Sequence, residues 1–470
     1  MQRFLAIDIG ASGGRHIVGY IEDGRIVTRE VYRFSNGMVQ KGDHLCWDLE
    51  SLESHVIAGL RAAAEQGLRP DYIGIDTWGV DYVMLKSDGQ VLGQAVAYRD
   101  HRTDGADEAL EKTLSFPDLF RLTGIAKQPF NTVYQFASIK ADPQSAFLLD
   151  AADDFLLMPE YLSYVLTGIK KHEWTNASTT AMCSPVTRTW SKEVIQALDM
   201  PEKLFDTEMV MPGTLLGTVS ADVAEKIGYT ASVILPATHD TGSAYMAVPA
   251  RDSRSVFLSS GTWSLLGCEL SEPILTDTAR EAGFTNEGGW GGSIRFLKNI
   301  MGMWMLQCLR HEDQDRLSYA EMAELAAKST YEGFVDASDN RFLSPQSMTE
   351  EVKAALRSDG YPEPKDFGDL CRAVTVGLAR CYRQAIGDLQ KIIGREFTSI
   401  NIVGGGSQNV TLNQLTADLT GLPVLAGPTE GTALGNLGAQ MIACGVFPSL
   451  QSFRDCLARS CDVVEYTKRG

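Results

Sequence analysis

The sequence has no Cys-x-x-Cys pair and no cluster of cysteine with histidine; its nine cysteines are scattered from Cys46 to Cys461. An odd, dispersed set builds neither a disulfide framework nor a zinc site, so reduced thiols and a cytoplasmic location are expected. No stretch approaches the roughly 18 uncharged apolar residues of a membrane span, and residues 1–10 carry no apolar run of signal-peptide length. No membrane partner is expected. Positive charge is scarce, with 42 Lys and Arg against 60 Asp and Glu and a net −18. No local basic run offsets it, which excludes nucleic-acid binding driven by phosphate attraction. A nucleotide would need backbone N–H groups, one or two cationic side chains or a metal. Gly-x-x-x-x-Gly-Lys-Ser/Thr is absent, excluding a P-loop, and in IVGGGSQN Asn409 stands where a dinucleotide fingerprint has its last glycine, which demotes a Rossmann reading.

What is present is an ordinary globular composition: 470 residues, 44% hydrophobic and 22% charged, enough for two or three domains of about 150 residues. RFLAIDI, HIVGYI and RIVTREVYRF, joined by tight turns, predict an antiparallel meander. Asp48 is placed to cap a helix whose apolar residues Leu49, Leu52, Val56, Leu60 and Ala63 keep helical spacing up to Gly67, and YIGID predicts the next strand. The second half repeats the plan. SVFLSSGTWSLLGCEL predicts strand, turn and strand; a helix over about 367–393, the strand TSINIV, a glycine turn and the helix NVTLNQLTADL follow. Two copies of one α/β fold are therefore expected, residues 1–247 and 248–470, dividing near 248–255 where Pro249 and a polar run interrupt two apolar segments. Residues 100–235 read as a mostly helical elaboration, for example DDFLLMPEYLSYVLTG. Residues 328–366 receive no role.

Several turns carry polar groups of chemical interest. DIGASGGR puts Asp8 at a strand end before Gly10, Gly13 and Gly14; such glycines let backbone N–H groups approach a phosphate, and a carboxylate beside them suits Mg²⁺, although a plain hairpin looks the same. In SSGTWS the Thr262 hydroxyl and N–H can donate to a terminal phosphate. LPATHDTGSAYMA places His239 and Asp240 after a strand, where the aspartate can accept a proton from a substrate hydroxyl and the histidine can orient that substrate; a mere helix cap is the other reading. IGIDTWGVD sets Asp76, Trp78 and Asp81 around Gly79, a combination that suits a sugar, although two carboxylates at a turn are more often simply solvated. KNIMGMWMLQCL reads as a helix with a core-facing methionine stripe, leaving Asn299 and Gln307 to reach a cleft.

Taken in order, Asp-x-Gly-x-Ser-x-x-Arg, Asn-Ala-Ser, His-Asp-Thr, Ser-Gly-Thr-Trp-Ser and Gly-Gly-Gly-Ser-Gln-Asn resemble the FGGY family of carbohydrate kinases over nearly the whole chain. Most members have Thr where Ala11 stands, which narrows the subfamily. The resemblance implies two ribonuclease-H/actin-like domains of the β-β-β-α-β-α-β-α type flanking a central cleft, the first mainly for sugar and the second mainly for ATP. It implies Asp240 as general base and Asp8 as the Mg²⁺-linked carboxylate. Ala11, Ser12, Gly13, Gly14 and Arg15 would cradle phosphate, with Thr262, Gln307 and Gly405 on the nucleotide; Gly79, His239, Asp240, Thr241 and Asn299 would line the sugar. The implied reaction is ATP-dependent phosphorylation of the C1 hydroxyl of a 6-deoxyketohexose, L-rhamnulose first, with L-fuculose or L-xylulose as alternatives and a non-catalytic sugar or ATP sensor as the distant one.

Overall fold

The computed structural model describes residues 1–250 and 252–469. They form two compact units. The first comprises Met1–Ala247, Glu269–Phe296 and Thr432–Ser460; the second comprises Val248–Cys268, Leu297–Gly431 and the chain from Cys461. The expected divide at 248–255, of which Arg251 lies outside the described residues, overlaps one passage between units, and the chain passes between them at four further points.

In the first unit β1 (Phe4–Gly10), β2 (Gly13–Glu22) and β3 (Arg25–Ser35) form the expected antiparallel meander. β4 (Tyr72–Thr77) runs parallel to β1 and puts Asp76 opposite Asp8. β5 (Thr214–Thr218) and β6 (Ser232–Leu235) complete the sheet, in the order β5-β6-β4-β1-β2-β3. β1 lies inside the sheet, between antiparallel β2 and parallel β4, and is covered on both faces. Leu5, Ile7 and Ile9 share a core with Leu52, Val56, Leu60 and Ala63 of the helix Leu49–Glu65. Phe4 and Ala6 instead pack on Ala433, Leu437 and Met441 of the helix Gly431–Ala443. Since side chains alternate along a strand, Asp8 shares the face of Phe4 and Ala6. Gly74 and Asp76 share that face on β4, and Asn436 meets them there, donating to the Gly74 carbonyl at 3.1 Å and to Asp76 Oδ2 at 2.5 Å.

Two local expectations change. Asp48 occupies the N-cap position but makes no side-chain capping bond; its carboxylate lies 3.8 Å from Lys41 Nζ instead. In DDFLLMPEYLSYVLTG the first part is a strand, Asp154–Leu157, paired antiparallel with Tyr82–Leu85, and the helix begins only at Met158. Pro159 suits a first helical turn, where its missing N–H is not needed, and Glu160 reaches back to the Leu157 N–H at 2.8 Å.

The second unit repeats the scheme. β7 (Ser255–Ser260) and β8 (Ser264–Leu270) form a hairpin, β9 (Ser399–Val403) runs parallel to β7, and β10 (Val424–Ala426) parallel to β9. β11 (Val464–Tyr466) adds an antiparallel edge. A hairpin followed by two parallel strands is the order of β1, β2, β4 and β6, so the predicted duplication of one α/β plan is present. KNIMGMWMLQCL is not one helix, because Lys298–Ile300 ends a strand (Ile294–Ile300) and the helix runs over Trp304–Glu312. Met301, Met303 and Met305 are buried, as the stripe requires.

The packing of β2 on the first helix creates a pH liability. His16 is fully buried above Gly59, donates from Nε2 to the Val56 carbonyl at 3.3 Å, and burial lowers its pKa from 6.5 to about 3, the Val56 bond opposing and His55 adding to the shift. A histidine whose folded pKa is depressed favours the folded state above its unfolded pKa, and that contribution is lost as pH falls toward the folded value. The wild type is expected to lose on the order of 5 kcal/mol of unfolding free energy between pH 6.5 and 3 relative to His16→Gln. Denaturant melts of both proteins across that range check it; parallel curves would refute it.

Candidate active site

Three carboxylates meet where neighbouring parallel strands of the first unit end. Asp8 lies near the end of β1 and Asp76 is its register partner on β4. Beyond β6 the chain pairs His239 with Thr77, and the Thr77 N–H donates to the Thr238 carbonyl at 3.0 Å, which brings Asp240 to the same edge. The carboxyl ends of parallel strands are the usual place for ligands in such sheets. Asp76 is completely buried, and burial, then the Asp8 charge, raises its pKa well above the ordinary carboxylate value; Asn436 opposes and Asp240 reinforces the shift. Asp8 is balanced by Arg15, whose Nε and Nη2 lie 3.1 and 3.0 Å from Oδ2.

Asp240 opens the helix Asp240–Met246, with His239 as N-cap. Its side chain is about one-third exposed (32%). Its Oδ1 accepts from the Thr241 N–H at 2.5 Å and the Thr241 hydroxyl at 3.1 Å, and lies 3.5 Å from His239 Nε2. The loop carrying this pair is anchored from below. Glu173, fully buried, accepts four hydrogen bonds, from the N–H and hydroxyl of both Thr175 and Thr238. Thr175 Oγ1 in turn accepts from the His239 N–H at 3.3 Å. Asn176 Nδ2 faces the carbonyls of Trp78 and Thr238, tying this loop to the Gly79 turn. Within that turn a Cβ on Gly79 would lie 2.8 Å from Thr179 Oγ1, and Val80 has φ +68°, a strained value for a branched residue and one that functional turns retain.

The sugar reading of Asp81 is corrected here. Its Oδ2 accepts from Trp47 Nε1, Trp78 Nε1 and the Tyr98 N–H at 2.6, 3.0 and 3.0 Å, and its Oδ1 from Gln135 at 3.2 Å. Buried and fully engaged, it supports the turn from within; burial raises its pKa to about 6 against the pull of the Trp47 bond. Asp76, with no exposed surface, is likewise removed from direct sugar contact.

Ala11 and Ser12 form the turn between β1 and β2, where Gly10 pairs with Gly13. Asn36 holds this turn, its Nδ2 donating to the Gly10 carbonyl at 2.9 Å and its N–H to the Ser12 carbonyl at 3.2 Å. Gly13 and Gly14 have an internal reason to be glycine. A Cβ would meet the Phe34 carbonyl at 2.9 Å in the first case and the Phe34 ring at 2.3 Å in the second.

In the second unit the β7–β8 turn carries Thr262, whose carbonyl accepts from the Trp304 N–H at 3.1 Å, while the Gly261 carbonyl accepts from the Met303 N–H at 3.0 Å. The turn therefore seats on the start of the helix bearing Gln307. Such seating requires Gly302, where a Cβ would lie 2.5 Å from the Trp263 carbonyl carbon. The Gly404–Gly406 turn lies against the end of β7. A Cβ on Gly404 would come within 2.8 Å of the Ser260 carbonyl oxygen and one on Gly406 within 1.9 Å of Ser260 Oγ, whereas Gly405 is exposed with nothing within 4 Å. Asn409, in the place of the missing fingerprint glycine, caps the helix Val410–Thr420 through Leu412 N–H at 3.0 Å. Thr262 and Gly405 thus lie in two turns at the end of β7, and Gln307 on the helix on which the first of them seats. An apolar recess lies within the same unit, lined by Met303, Leu306, Met322, Ala323, Thr375 and Asn409. Asn299 also belongs to this unit, and its Oδ1 is buried without a hydrogen-bond partner.

The residues expected on the first-unit side, Asp8, Ala11 to Arg15, Gly79, His239, Asp240 and Thr241, all lie in the first unit. Reading the sequence passed over the roles of Asn36, Glu173, Asn176, Glu287 and Arg295. Arg295 inside SIRFL is a charge set among apolar neighbours, a pattern that signals a buried partner; Glu173, in KKHEWTN, carries no such signal. Among the described residues no three His, Cys, Asp or Glu side chains converge as metal ligands. A divalent cation here would have one or two protein carboxylates at most, which is how Mg²⁺ is held beside phosphates.

Models of the N- and C-terminal domains of the FGGY family of carbohydrate kinases match residues 3–247 and 256–444. A protein of Halalkalibacterium halodurans named rhamnulokinase is 42% identical over 466 residues, 99% of each chain. One of Oceanobacillus iheyensis with the same name is 40% identical over 465 residues, 99% of this chain and 98% of its own. In structure the chain is similar to ligand-bound xylulose kinase from Lactobacillus acidophilus, with TM-score 0.83, 16% identity and coverage of 100% and 94% of the two chains. Glycerol kinase from Plasmodium falciparum with ADP gives TM-score 0.78 at 16% identity, with coverage of 100% and 94%.

The glycine turn of the second unit holds a crowded position, Gly404, beside an open one, Gly405. Gly404 has φ +88° and no room for a Cβ, so Gly404→Ala should cost about 1–3 kcal/mol of stability. Gly405→Ala should stay within about 0.5 kcal/mol of wild type yet weaken ATP binding. Thermal melts with nucleotide titration of both variants check this; equal loss of stability in the two would contradict it.

Proposed function

The chain belongs to the FGGY family of carbohydrate kinases, and from that premise we propose that it transfers the γ-phosphoryl group of ATP to the C1 hydroxyl of L-rhamnulose, giving L-rhamnulose 1-phosphate and ADP. It is a sugar kinase with ATP as donor. The choice of sugar rests on one observation above others: near-full-length identity of about 40% to proteins named rhamnulokinase. L-Fuculose and L-xylulose remain the rival ketoses.

The proposed base is Asp240. As the C1 oxygen forms its bond to the γ-phosphorus, the bond from that phosphorus to the ADP oxygen breaks and the hydroxyl proton passes to the carboxylate. The Thr241 N–H and hydroxyl both occupy Oδ1, which favours Oδ2 as the oxygen presented to the substrate. A sensor without catalysis would need no such base. Gly79, His239 and Thr241 are proposed to line the sugar, and the family pattern adds Asn299 to that proposal. Ala11, Ser12, Gly13, Gly14 and Arg15 are proposed for phosphate and Thr262, Gln307 and Gly405 for the nucleotide. Asp8 is the residue that would hold Mg²⁺, an ion that supplies positive charge against the phosphate oxygens when bound. No helix among the described residues is long and apolar enough to cross a membrane. A cytoplasmic location, with a ketose and ATP rather than nucleic acid or a membrane as partners, is proposed on the scattered cysteines and the net charge of −18.

Asp240→Asn is expected to keep the fold and nearly keep sugar binding while lowering kcat by about 10²–10⁴. Steady-state kinetics beside sugar-binding calorimetry test it; a kcat near wild type removes Asp240 from the role. A second expectation concerns selectivity. An inverted hydroxyl leaves buried polar groups unpaired, whereas an added C6 hydroxyl in an apolar pocket is rejected by only roughly 1–3 kcal/mol. L-Rhamnulose should therefore be preferred over its C4 epimer L-fuculose by more than over its own C6-hydroxylated analogue. Comparison of kcat/KM for the three sugars decides it, and a preference for L-fuculose would overturn the substrate while leaving the kinase.

A further inference from the structure

Beneath His239 lies a buried charge pair that the reading above does not use. Arg295, in the strand Ile294–Ile300, has no exposed surface. Its Nε donates to the Gly288 carbonyl at 2.7 Å, its Nη2 lies 3.0 Å from His239 Nδ1, and its Nη1 lies 3.1 Å from Glu287 Oε2. Glu287 Oε2 is also 3.4 Å from His239 Nδ1. Burial alone raises the Glu287 carboxyl, but Arg295 foremost, then His239, holds it below the ordinary value, so the pair stays ionised.

The two neighbours of Nδ1 make opposite demands. Guanidinium has five N–H donors and no acceptor, so a contact at 3.0 Å needs a lone pair on Nδ1. Glu287 would instead ask for a proton there. A protonated Nδ1 would set donor against donor at 3.0 Å beside a fixed positive charge, to gain a longer contact of 3.4 Å with a carboxylate already paired to Arg295. The arginine prevails. The imidazole then carries its proton on Nε2, the nitrogen 3.5 Å from Asp240 Oδ1.

We propose that Arg295, backed by Glu287, is a positioning residue that holds His239 in the Nε2–H form, so that a fixed N–H donor stands beside Asp240 to bind a sugar oxygen next to the hydroxyl being phosphorylated. The role of the donor rests on the sugar-kinase reading, but the proton's location does not. Arg295→Lys keeps a positive charge for Glu287 but lacks the planar fork that reaches Gly288 and His239 together. Arg295→Met combined with Glu287→Gln removes both charges and leaves neither buried ion alone.

The test uses the full chain with ¹⁵N-labelled histidine. Long-range ¹H–¹⁵N correlations of the ligand-free protein, with His239 assigned by its loss in His239→Gln, should show the neutral Nε2–H form; Arg295→Lys and the double variant should lose or mix it. Sugar KM should rise about tenfold in both, the worth of one hydrogen bond, with ATP KM and kcat within about twofold and an unchanged melting temperature for at least one variant. An Nδ1–H signature in the wild type overturns the proposal, as does an unchanged sugar KM in a folded variant whose tautomer has shifted. Failure of every ketose to turn over would sink the functional reading, and the tautomer spectrum would still decide the assignment to Arg295.

Discussion

Three carboxylates at the ends of adjacent parallel strands impose the constraint on which the first unit depends. Like charges in a buried place cannot all be ionised without compensation. Arg15 balances Asp8, the Thr241 N–H and hydroxyl engage Asp240, and Asp76, completely buried, is left to Asn436. The helix Gly431–Ala443 is therefore more than a lid of apolar side chains. Gln440 donates to the Leu5 carbonyl and to Asn436 Oδ1, fixing the amide that faces Asp76. Gly74 leaves the space, since a Cβ there would stand 2.4 Å from Asn436 Oδ1. Register, helix packing and electrostatics thus meet at one point, beside the half-buried Asp240.

A second theme is why particular residues are glycine. The phosphate-loop argument for DIGASGGR needs open space above the backbone, yet Gly13 and Gly14 are crowded by Phe34, whose ring stacks on His55 at 4.3 Å. In the second unit Gly404 and Gly406 are crowded by Ser260, and Gly405 between them is open. Glycine-rich turns here combine internal crowding with outward access. Only the second property bears on a ligand, and only the packing separates the two.

Much of this was legible in the sequence. Period-two alternation and the turn residues located β1 to β4, the helix spacing located Leu49–Glu65, and the echo in SVFLSSGTWSLLGCEL announced the second copy of the fold. What local pattern could not show was where charges are buried. Asp76 and Asp81 sit in an apparently exposed turn motif, but register pairing and two indole N–H groups enclose them. Asp48 looked like a cap because its position is right, while Lys41 draws its side chain elsewhere. DFLL joined a strand because Tyr82–Leu85, some 70 residues away, offered a partner, information that no local window contains. The anchors Glu173, Asn176 and Arg295 were hidden for the same reason: each acts on a loop distant in sequence.

The central claim is a phosphoryl transfer to one hydroxyl of one ketose, and the product itself tests it most directly. With ATP, Mg²⁺ and L-rhamnulose, ³¹P spectroscopy should show a sugar phosphate whose phosphorus couples to the two C1 protons, appearing in step with ADP. Release of inorganic phosphate without a sugar phosphate, or coupling to protons of another carbon, would contradict the account.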